Sequence, residues 1–401
     1  MRIVILGAGF AGMYAALAAA RLREANGVLP RDLEIALVAP EPRLVIRPRL
    51  YEARPETLTA PLGDVLAAID VAYVRGTAEA VDVGSRAVRI VASGGAKETL
   101  SFDRLVLATG SRLLRPEIPG LAEHGFSVDG LDDAIALDRH LHSLSNQPAG
   151  SARDTVVVIG GGFTGIETAT EMPARLREIL GDQAKPRVIL VDRSPTIAPD
   201  MGESARRVVE AALSKLGLET RLGVGAVELD NSGVTLSNGE RLPCATAIWA
   251  GGLRAAPLTT RIPGERDNLG RLLVDRDLRA PSAPGVFAAG DAANAACDDE
   301  GRRALMSCQH ATRMGAFAGY NAAAELLGVP SKPYHQKVYV TCLDLGEAGA
   351  LFTRGWDRKV EMVGDVAKAT KREINTVWIY PPKAERAAAL AAADPERVTD
   401  L

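Results

Sequence analysis

The sequence is poor in aromatic side chains and in cysteine, and its charge is nearly balanced. Only 4% of the 401 residues are aromatic, and alanine is used heavily instead. Cys244, Cys297, Cys308 and Cys342 lie far apart, which predicts neither a metal site nor a disulfide framework. A net charge of -3 gives no reason to expect nucleic acid as a partner.

Long apolar runs are missing as well. No stretch approaches the roughly 20 residues that a transmembrane helix needs. The chain starts directly on a strand pattern, without the features of a signal peptide. We therefore expect a cytoplasmic protein that has no transmembrane segment.

The first informative pattern is a strand, a glycine-rich turn and a helix at the N terminus. Residues 3–6 form a continuous apolar run, as buried parallel strands do. Gly7, Gly9 and Gly12 follow in the spacing G-x-G-x-x-G, and a helix is predicted over 13–23. These glycines permit a tight turn, close approach of a pyrophosphate, and close packing of helix on strand. A merely structural glycine turn is the alternative for a single copy.

The same pattern returns in the middle of the chain. Residues 156–159 form an apolar strand, and Gly160, Gly162 and Gly165 supply the turn before a helix. The next strand ends at Asp192, where a carboxylate can bind the hydroxyls of an adenosine ribose. Two such units predict two dinucleotides, and the common pairing is FAD with a nicotinamide.

Five stretches together resemble the two-dinucleotide-fold flavoprotein reductases, and most of all the type II NADH dehydrogenases, which are single-chain NADH:quinone oxidoreductases. Besides the N-terminal turn they are 47–52 (RPRLYE, similar to the family's QPLLYE), 105–111 (LVLATGS), 161–167 (GGFTGIE) and 286–291 (VFAAGD). The resemblance implies an α/β fold with two Rossmann-like dinucleotide-binding domains, one for FAD and one for NAD(P)H. A small C-terminal α+β module would follow them.

This resemblance also implies the domain boundaries. The FAD domain is expected in two halves, 1–115 and 253–330, with a connecting segment at 116–150, the NAD(P)H domain at 151–252 and the module at 331–401. We predict β-ribbons over 71–90 and 224–242, the second with a hairpin turn at Asn238 and Gly239. Strands of the module are predicted at 337–341, 349–352 and 360–363.

Contacts to both nucleotides follow from the family's motifs. For FAD they are expected in the first turn, after the second strand and at the flavin motifs, namely at Gly7, Gly9, Phe10, Ala11, Gly12, Ala39, Glu41, Pro48, Ala78, Ala108, Thr109, Gly110, Gly290, Asp291 and Gln309. For NAD(P)H they are expected at Gly160, Gly162, Phe163, Thr164, Gly165, Asp192, Arg193 and Gly251. Asp291 could accept a hydrogen bond from the flavin ribityl chain, or it could simply cap a helix.

Two positions depart from the usual pattern. The second strand ends at Ala39 where the family carries an acidic residue, and Glu41 could replace that residue. Arg193 follows Asp192 and could pair with a 2′-phosphate. We therefore expect NADH as the reductant and keep NADPH as the alternative.

Hydride transfer depends on placing the nicotinamide against the flavin, so few catalytic side chains are expected. Glu167 is the first candidate, either to orient the nicotinamide or to deliver protons; a helix-dipole role is its alternative. Gln309 and His310 begin a segment similar to the family's A-Q-x-A-x-Q-x-G helix at the flavin and quinone. His310 could supply protons or be a packed core residue. The family's second Gln is Arg313 here, and Cys308 replaces its Ala.

The sequence leaves the class of the electron acceptor open. A quinone-like small molecule is expected first, with a redox protein such as ferredoxin, or a sensing role like that of apoptosis-inducing factors, as alternatives. The tail over 383–398 is a weak surface helix with one Leu, and 376–381 is either an apolar contact site or a packed strand. Weak peripheral contact with the inner face of the cell membrane and a homodimer are both compatible with these features.

Overall fold

The computed structural model describes residues 1–92, 94–181 and 184–397, so residues 398–401 of the predicted module and tail lie outside the described residues. The helices in these ranges are α1 Phe10–Ala25, α2 Gly63–Ala68, α3 Leu121–His124, α4 Leu131–Ser143, α5 Phe163–Leu180, α6 Gly202–Lys215, α7 Cys308–Leu327, α8 Gly364–Glu373 and α9 Arg386–Ala392. Helix α1 starts three residues earlier than predicted, directly at the glycine turn.

The first layer is a five-stranded parallel sheet. Its strands are β1 Arg2–Leu6, β2 Glu34–Ala39, β5 Ala72–Arg75, β9 Arg104–Leu107 and β21 Val286–Ala288. They lie in the order β21-β9-β1-β2-β5, so a strand from late in the chain completes the N-terminal sheet. The strands β1, β2, β9 and β21 are mostly apolar and buried, as expected where both faces of a sheet are covered, whereas the edge strand β5 is only partly buried. A strand from residues 286–288 therefore belongs to the same layer as the N-terminal strands.

Helices α1 and α7 pack against each other on this sheet at very short range. A Cβ at Gly315 would lie 2.2 Å from the carbonyl oxygen of Ala11, and one at Gly319 would lie 2.0 Å from that of Ala15. Only glycine leaves room for this approach. The many alanines of α1 also have small side chains, which favours close packing of the helix.

A second five-stranded parallel sheet carries the second glycine turn. Its strands are β11 Gly125–Phe126, β12 Thr155–Ile159, β13 Arg187–Asp192, β14 Glu219–Leu222 and β18 Thr246–Trp249, in the order β11-β18-β12-β13-β14. The predicted connecting segment 116–150 adds β11 to this sheet and buries the apolar face of α4 in its core. The two sheets therefore form two α/β layers of similar design.

Smaller sheets connect and cover these layers. Two pairs are antiparallel, β3 Arg43–Val45 with β4 Thr59–Pro61 and β10 Ser111–Leu113 with β19 Leu253–Ala255, while β20 Leu272–Leu273 and β22 Ala293–Asn294 pair in parallel. Antiparallel ribbons are formed by β6 Thr77–Asp82, β7 Ala87–Val91 and β8 Lys97–Ser101, and by β15 Ala226–Asp230, β16 Gly233–Leu236 and β17 Arg241–Pro243. The ribbon predicted over 71–90 is partly wrong, because β5 belongs to the parallel sheet. The hairpin turn is confirmed, with φ of +87° at Gly239.

The C-terminal module is a three-stranded antiparallel sheet covered by α8. Its strands are β23 Val340–Asp344, β24 Ala350–Arg354 and β25 Lys359–Val363. The first strand begins three residues later than predicted. A packed strand over 376–381 is wrong, since Ile374–Trp378 forms a turn of π-helix. Continuation of α8 through this turn leaves Val377 62% and Trp378 37% exposed.

The tail is attached to the first layer rather than free. Helix α9 buries Ala389, Leu390 and Ala393 in the core that also contains α1. Arg386 pairs with Glu24 at 2.6 Å. The predicted weak surface helix is thus shorter and more firmly packed than expected. Among the described residues, no helix is long and apolar enough to span a bilayer.

We expect Gly319→Ala to lower the free energy of unfolding by about 2 kcal/mol, because α1 and α7 would have to separate to admit the methyl group. Urea unfolding followed by circular dichroism measures this change. Gly63→Ala is the control: Gly63 is exposed and no atom within 4 Å would meet a Cβ there. Equal stabilities of the two variants would show that the helix contact is not as tight as described.

Candidate active site

Each glycine turn leaves open space in front of a helix N terminus. Gly7 and Gly160 have φ of +112° and +122°, which only glycine adopts without strain. Helices α1 and α5 then begin after Gly9 and Gly162, and neither has a side-chain cap. A Cβ at either of these two glycines would meet nothing within 4 Å. Free N–H groups, a helix dipole and open space are the features that bind a pyrophosphate.

The third glycine of each turn sets the distance between helix and strand. A Cβ at Gly12 would lie 1.8 Å from the carbonyl oxygen of Gly7, and one at Gly165 would lie 1.7 Å from that of Gly160. Phe10, Ala11, Phe163 and Thr164 lie in the first turns of the two helices, which begin three residues earlier than the sequence predicted. Both copies therefore have the geometry that the motif requires.

The two flavin motifs meet beside the first turn. Gly290 has φ of +65°, and a Cβ there would lie 2.9 Å from that of Ala11. Ala108, Thr109 and Gly110 follow β9 at the same edge, where the hydroxyl of Thr109 is buried without a hydrogen-bond partner among the described residues. An unpaired buried hydroxyl at this edge fits a polar ligand such as FAD.

Asp291 lies at the centre of a small polar network. Its Oδ2 accepts a hydrogen bond of 2.6 Å from the hydroxyl of Ser111, and the guanidinium of Arg47 is 3.6 Å away. Burial raises the pKa of the Asp291 carboxyl, and Ser111 and Arg47 oppose that shift. The carboxylate is thus held at the carboxyl end of β21, where the sequence placed it.

The remaining expected FAD contacts are more peripheral. Ala39 ends β2, and Glu41 turns to Arg43, with which it forms an ion pair of 2.6 Å while staying 45% exposed. Pro48 lies in the 3-10 turn Arg47–Arg49, and Ala78 lies on β6. Glu41 is therefore near the end of the strand but is paired with its own neighbour.

At the second turn, Asp192 reaches the glycine loop itself. Its carboxylate accepts hydrogen bonds from the backbone N–H of Gly161 at 2.5 Å and of Ser194 at 2.6 Å. The stem of Arg193 instead packs near Gly225, where a Cβ would lie 3.0 Å from Cγ of Arg193. Gly251 follows β18, and a Cβ there would collide with the indole of Trp249 at 2.6 Å.

Glu167 is buried on α5 and faces the C-terminal module. Its Oε1 accepts hydrogen bonds from Nζ of Lys371 at 2.7 Å and from the backbone N–H of Asp344 at 3.0 Å. Burial raises the pKa of the Glu167 carboxyl. Burial is the largest single influence on the pKa of Lys371 and lowers it, but the charge and hydrogen bond of Glu167, together with Cys342 and Asp344, make the net shift upward. The two side chains are in direct contact and each is only 7% exposed, so the pair is shielded from water.

Lys371 was missed in the sequence, although a weak signal was present. Ala367 and Lys371 are four residues apart on α8 and are both buried, so the cation lies on the apolar side of its helix. More polar groups surround the pair: Lys368 binds Asp344 at 2.5 Å, and the hydroxyl of Tyr51 is buried without a partner in the described chain. The module thus completes a buried charged cluster at α5.

The start of α7 contains the other predicted candidates. Oε1 of Gln309 accepts a hydrogen bond from the backbone N–H of Val340 at 3.3 Å. Burial raises the pKa of the Cys308 thiol, which keeps it protonated. Arg313 donates to the carbonyl oxygens of His335 at 2.7 Å and of Arg397 at 3.3 Å, so it holds the tail in place.

His310 is fully buried between aromatic rings. It contacts Tyr339 and Trp356 edge to face, its Nε2 lies 3.9 Å from Sγ of Cys297, and its Nδ1 has no partner among the described residues. Burial lowers its pKa to about 3. The imidazole is therefore neutral throughout the physiological pH range. This agrees with the interpretation of His310 as a packed core residue.

The low pKa of His310 makes stability depend on pH. An unfolded His binds a proton below a pH of about 6.5, but folded His310 does so only near 3, so stability falls as the pH drops through this interval. Between pH 7 and pH 5 we expect His310→Phe to lose about 2 kcal/mol less than the parent. Urea unfolding at both pH values tests this, with exposed His142→Phe as the control. Identical losses in parent and His310→Phe would contradict the assignment.

Comparison with known proteins agrees with this geometry. Residues 1–315 match the family model described as pyridine nucleotide-disulphide oxidoreductase. The chain is 49% identical over 397 residues to the NADH dehydrogenase-like protein Rv1812c of Mycobacterium tuberculosis, covering 98% of both chains. It is 28% identical over 360 residues to the demethylphylloquinone reductase NdbB of Synechocystis, covering 88% of this chain and 86% of that one.

A solved structure shares the whole fold. NDH2 from Plasmodium falciparum in complex with NADH superposes with a TM-score of 0.78 at 14% identity, covering 98% of this chain and 97% of that one. The predicted α/β fold with two Rossmann-like layers is confirmed, as is the resemblance to NADH dehydrogenases. The chain belongs to the pyridine nucleotide-disulphide oxidoreductase family and is an FAD-dependent NADH oxidoreductase.

Proposed function

We propose that the protein passes the electrons of NADH through FAD to a quinone-type small molecule. The observation that carries this proposal is the buried Glu167–Lys371 ion pair, which is placed where α5 of the nucleotide layer meets the C-terminal module. The demethylphylloquinone reductase and a type II NADH:quinone oxidoreductase of Mycobacterium tuberculosis, both 28% identical to the chain, support the choice of a quinone.

The two glycine turns would hold the two nucleotides. The α1 turn and the edge formed by Thr109 and Asp291 would bind FAD, and the α5 turn would bind NADH. Asp192 favours NADH over NADPH, because its carboxylate is fixed at the turn and would repel a 2′-phosphate. When bound, FAD supplies the chemistry of accepting a hydride and releasing two electrons.

Reduction of a quinone to a quinol takes up two electrons and two protons, and NADH supplies only one of those protons with its hydride. The other must come from solvent through the protein. Glu167 and Lys371 are both titratable, buried and in direct contact, so they can hold a proton near the reaction without admitting water. The hydroxyl of Tyr51, which has no hydrogen-bond partner among the described residues and lies near several carboxylates, offers a further donor beside them.

Contact with a membrane is proposed for the module rather than for the tail. Val363, Val366, Val377 and Trp378 are exposed apolar residues on or next to α8, with exposures of 48%, 65%, 62% and 37%. The tail instead packs on the first layer through α9. We place any peripheral contact with a membrane surface, where a lipid-soluble quinone would be found, at this apolar face.

We expect NADH to bleach the flavin of the purified protein within the first turnover and a soluble naphthoquinone to restore its colour rapidly. Stopped-flow absorbance at the flavin band measures both half-reactions. Ferredoxin is the comparison acceptor and should reoxidise the flavin much more slowly. Fast ferredoxin reduction with slow quinone reduction would replace the quinone by a protein acceptor, and a stable reduced complex with both would indicate a sensing role.

Glu167→Gln should slow steady-state quinone reduction by about 100-fold, because it removes the carboxylate and leaves Lys371 buried without a counter-charge. Lys371→Met should act in the same direction. Glu347→Gln is the matched control, since the Arg177–Glu347 pair also joins α5 to the module but is 42% and 60% exposed. Unchanged turnover of Glu167→Gln at saturating NADH and quinone would refute the proposed role.

A further inference from the structure

A short excursion of the first layer reaches into the second. Between β3 and β4 the chain runs through residues 46–58, which include two 3-10 turns. Leu50, Tyr51 and Leu58 from this excursion are buried in the same core as Val156 and Ile166 of the second layer. The excursion therefore fixes one nucleotide layer against the other.

Arg47 stands at the start of the excursion and connects three segments. Its guanidinium binds the Asp129 carboxylate, the Asp129 carbonyl oxygen at 3.1 Å and the Ser111 hydroxyl at 2.8 Å. Asp129 follows β11 of the second layer and also accepts a hydrogen bond of 2.8 Å from the backbone N–H of Leu113. Arg47 thus joins three segments: the excursion, strand β10 through Ser111, and the second layer through Asp129.

The same network ends on Asp291. Ser111 donates to Asp291, and the Arg47 guanidinium lies 3.6 Å from the same carboxylate oxygen. The side chains of Arg47, Asp129 and Asp291 are only 28%, 17% and 15% exposed. At such burial an arginine shared between two carboxylates has more influence than a solvated surface pair.

We propose that Arg47 is a positioning residue that sets both the alignment of the two nucleotide layers and the charge of Asp291 at the FAD site. This rests on the FAD and NADH chemistry proposed above, since alignment matters only if electrons cross between the layers. Among the described residues, no hydrogen bond or ion pair joins the Arg47 side chain to either glycine turn. It acts through Asp129 on the second layer and through Ser111 and Asp291 on the first.

Because of the charges around Asp291, changing Arg47 and changing Asp129 should shift the pKa of Asp291 in opposite directions, which a packing role alone would not do. Burial has the largest influence and raises the pKa of the Asp291 carboxyl; the hydrogen bond from Ser111 and the charges of Arg47 and Arg271 lower it, and the charge of Asp129 raises it. Arg47→Gln should raise the pKa of Asp291, and Asp129→Asn should lower it. If FAD binds to the ionised carboxylate, these variants move the pH dependence of FAD affinity in opposite directions.

The first experiment strips FAD from the full-length protein and measures rebinding by flavin fluorescence between pH 5 and pH 9. We expect the fall of affinity towards low pH to begin about one pH unit higher in Arg47→Gln than in the parent. In Asp129→Asn it should begin lower. Arg115→Gln is the matched control, because Arg115 also reaches the second layer, through Asp133 at 3.1 Å. This pair is 39% and 44% exposed, and within the described part of the chain Arg115 forms no hydrogen bond or ion pair with Asp291.

The second experiment separates alignment from binding. In single-turnover bleaching by NADH, Arg47→Gln and Asp129→Asn should both lower the hydride-transfer rate about tenfold, with the NADH dissociation constant nearly unchanged. Arg47→Lys should fall between parent and Arg47→Gln. These readouts need no quinone, so failure of the quinone proposal would leave them intact.

The proposal is overturned if the pH profiles of Arg47→Gln and Asp129→Asn shift in the same direction or coincide with the parent. It is also overturned if only the NADH dissociation constant changes. Circular dichroism melting checks that each variant is folded. Asparagine has nearly the same shape as aspartate. Asp129→Asn therefore tests the direction in which the pH profile of FAD affinity shifts, even where Arg47→Gln unfolds.

Discussion

No side chain fits between the first and third glycines of either nucleotide turn, and the rest of the site depends on this limit. At Gly12 and Gly165 a Cβ would lie within 2 Å of a carbonyl oxygen, at 1.8 and 1.7 Å. Each helix can therefore begin directly against its strand, with uncapped N–H groups facing open space. Gly315 and Gly319 are likewise positions where a side chain would not fit, because α7 lies against the backbone of α1 there.

Ion pairs join the two layers and the C-terminal module to one another. Glu167 and Lys371 join the second layer to the C-terminal module, and Arg47 and Asp129 join the first layer to the second. The Glu167–Lys371 pair is buried and the Arg47–Asp129 pair is partly buried. Removing one partner of a buried pair leaves an uncompensated charge. A few ion pairs thus join the two layers and the C-terminal module.

Several expectations could be read from the chain because they depend on neighbours in sequence. The strand, turn and helix at Gly7 and at Gly160 are local, and so is the hairpin at Gly239. The strand at 376–381 was wrong because α8 continues through this apolar segment as π-helix. Nor could local pattern show that β5 leaves the ribbon to join the parallel sheet.

By itself the sequence determined the two α/β nucleotide units, since backbone clearance and apolar runs are properties of a few consecutive residues. It also placed Asp291 and Asp192 at strand ends, where parallel sheets expose their polar groups. Only the tertiary structure decided that Glu167 meets Lys371 and that Arg47 reaches Asp129 and Asp291. Those contacts join distant segments, and a lone charged residue in a sequence does not show which opposite charge folding will bring to it.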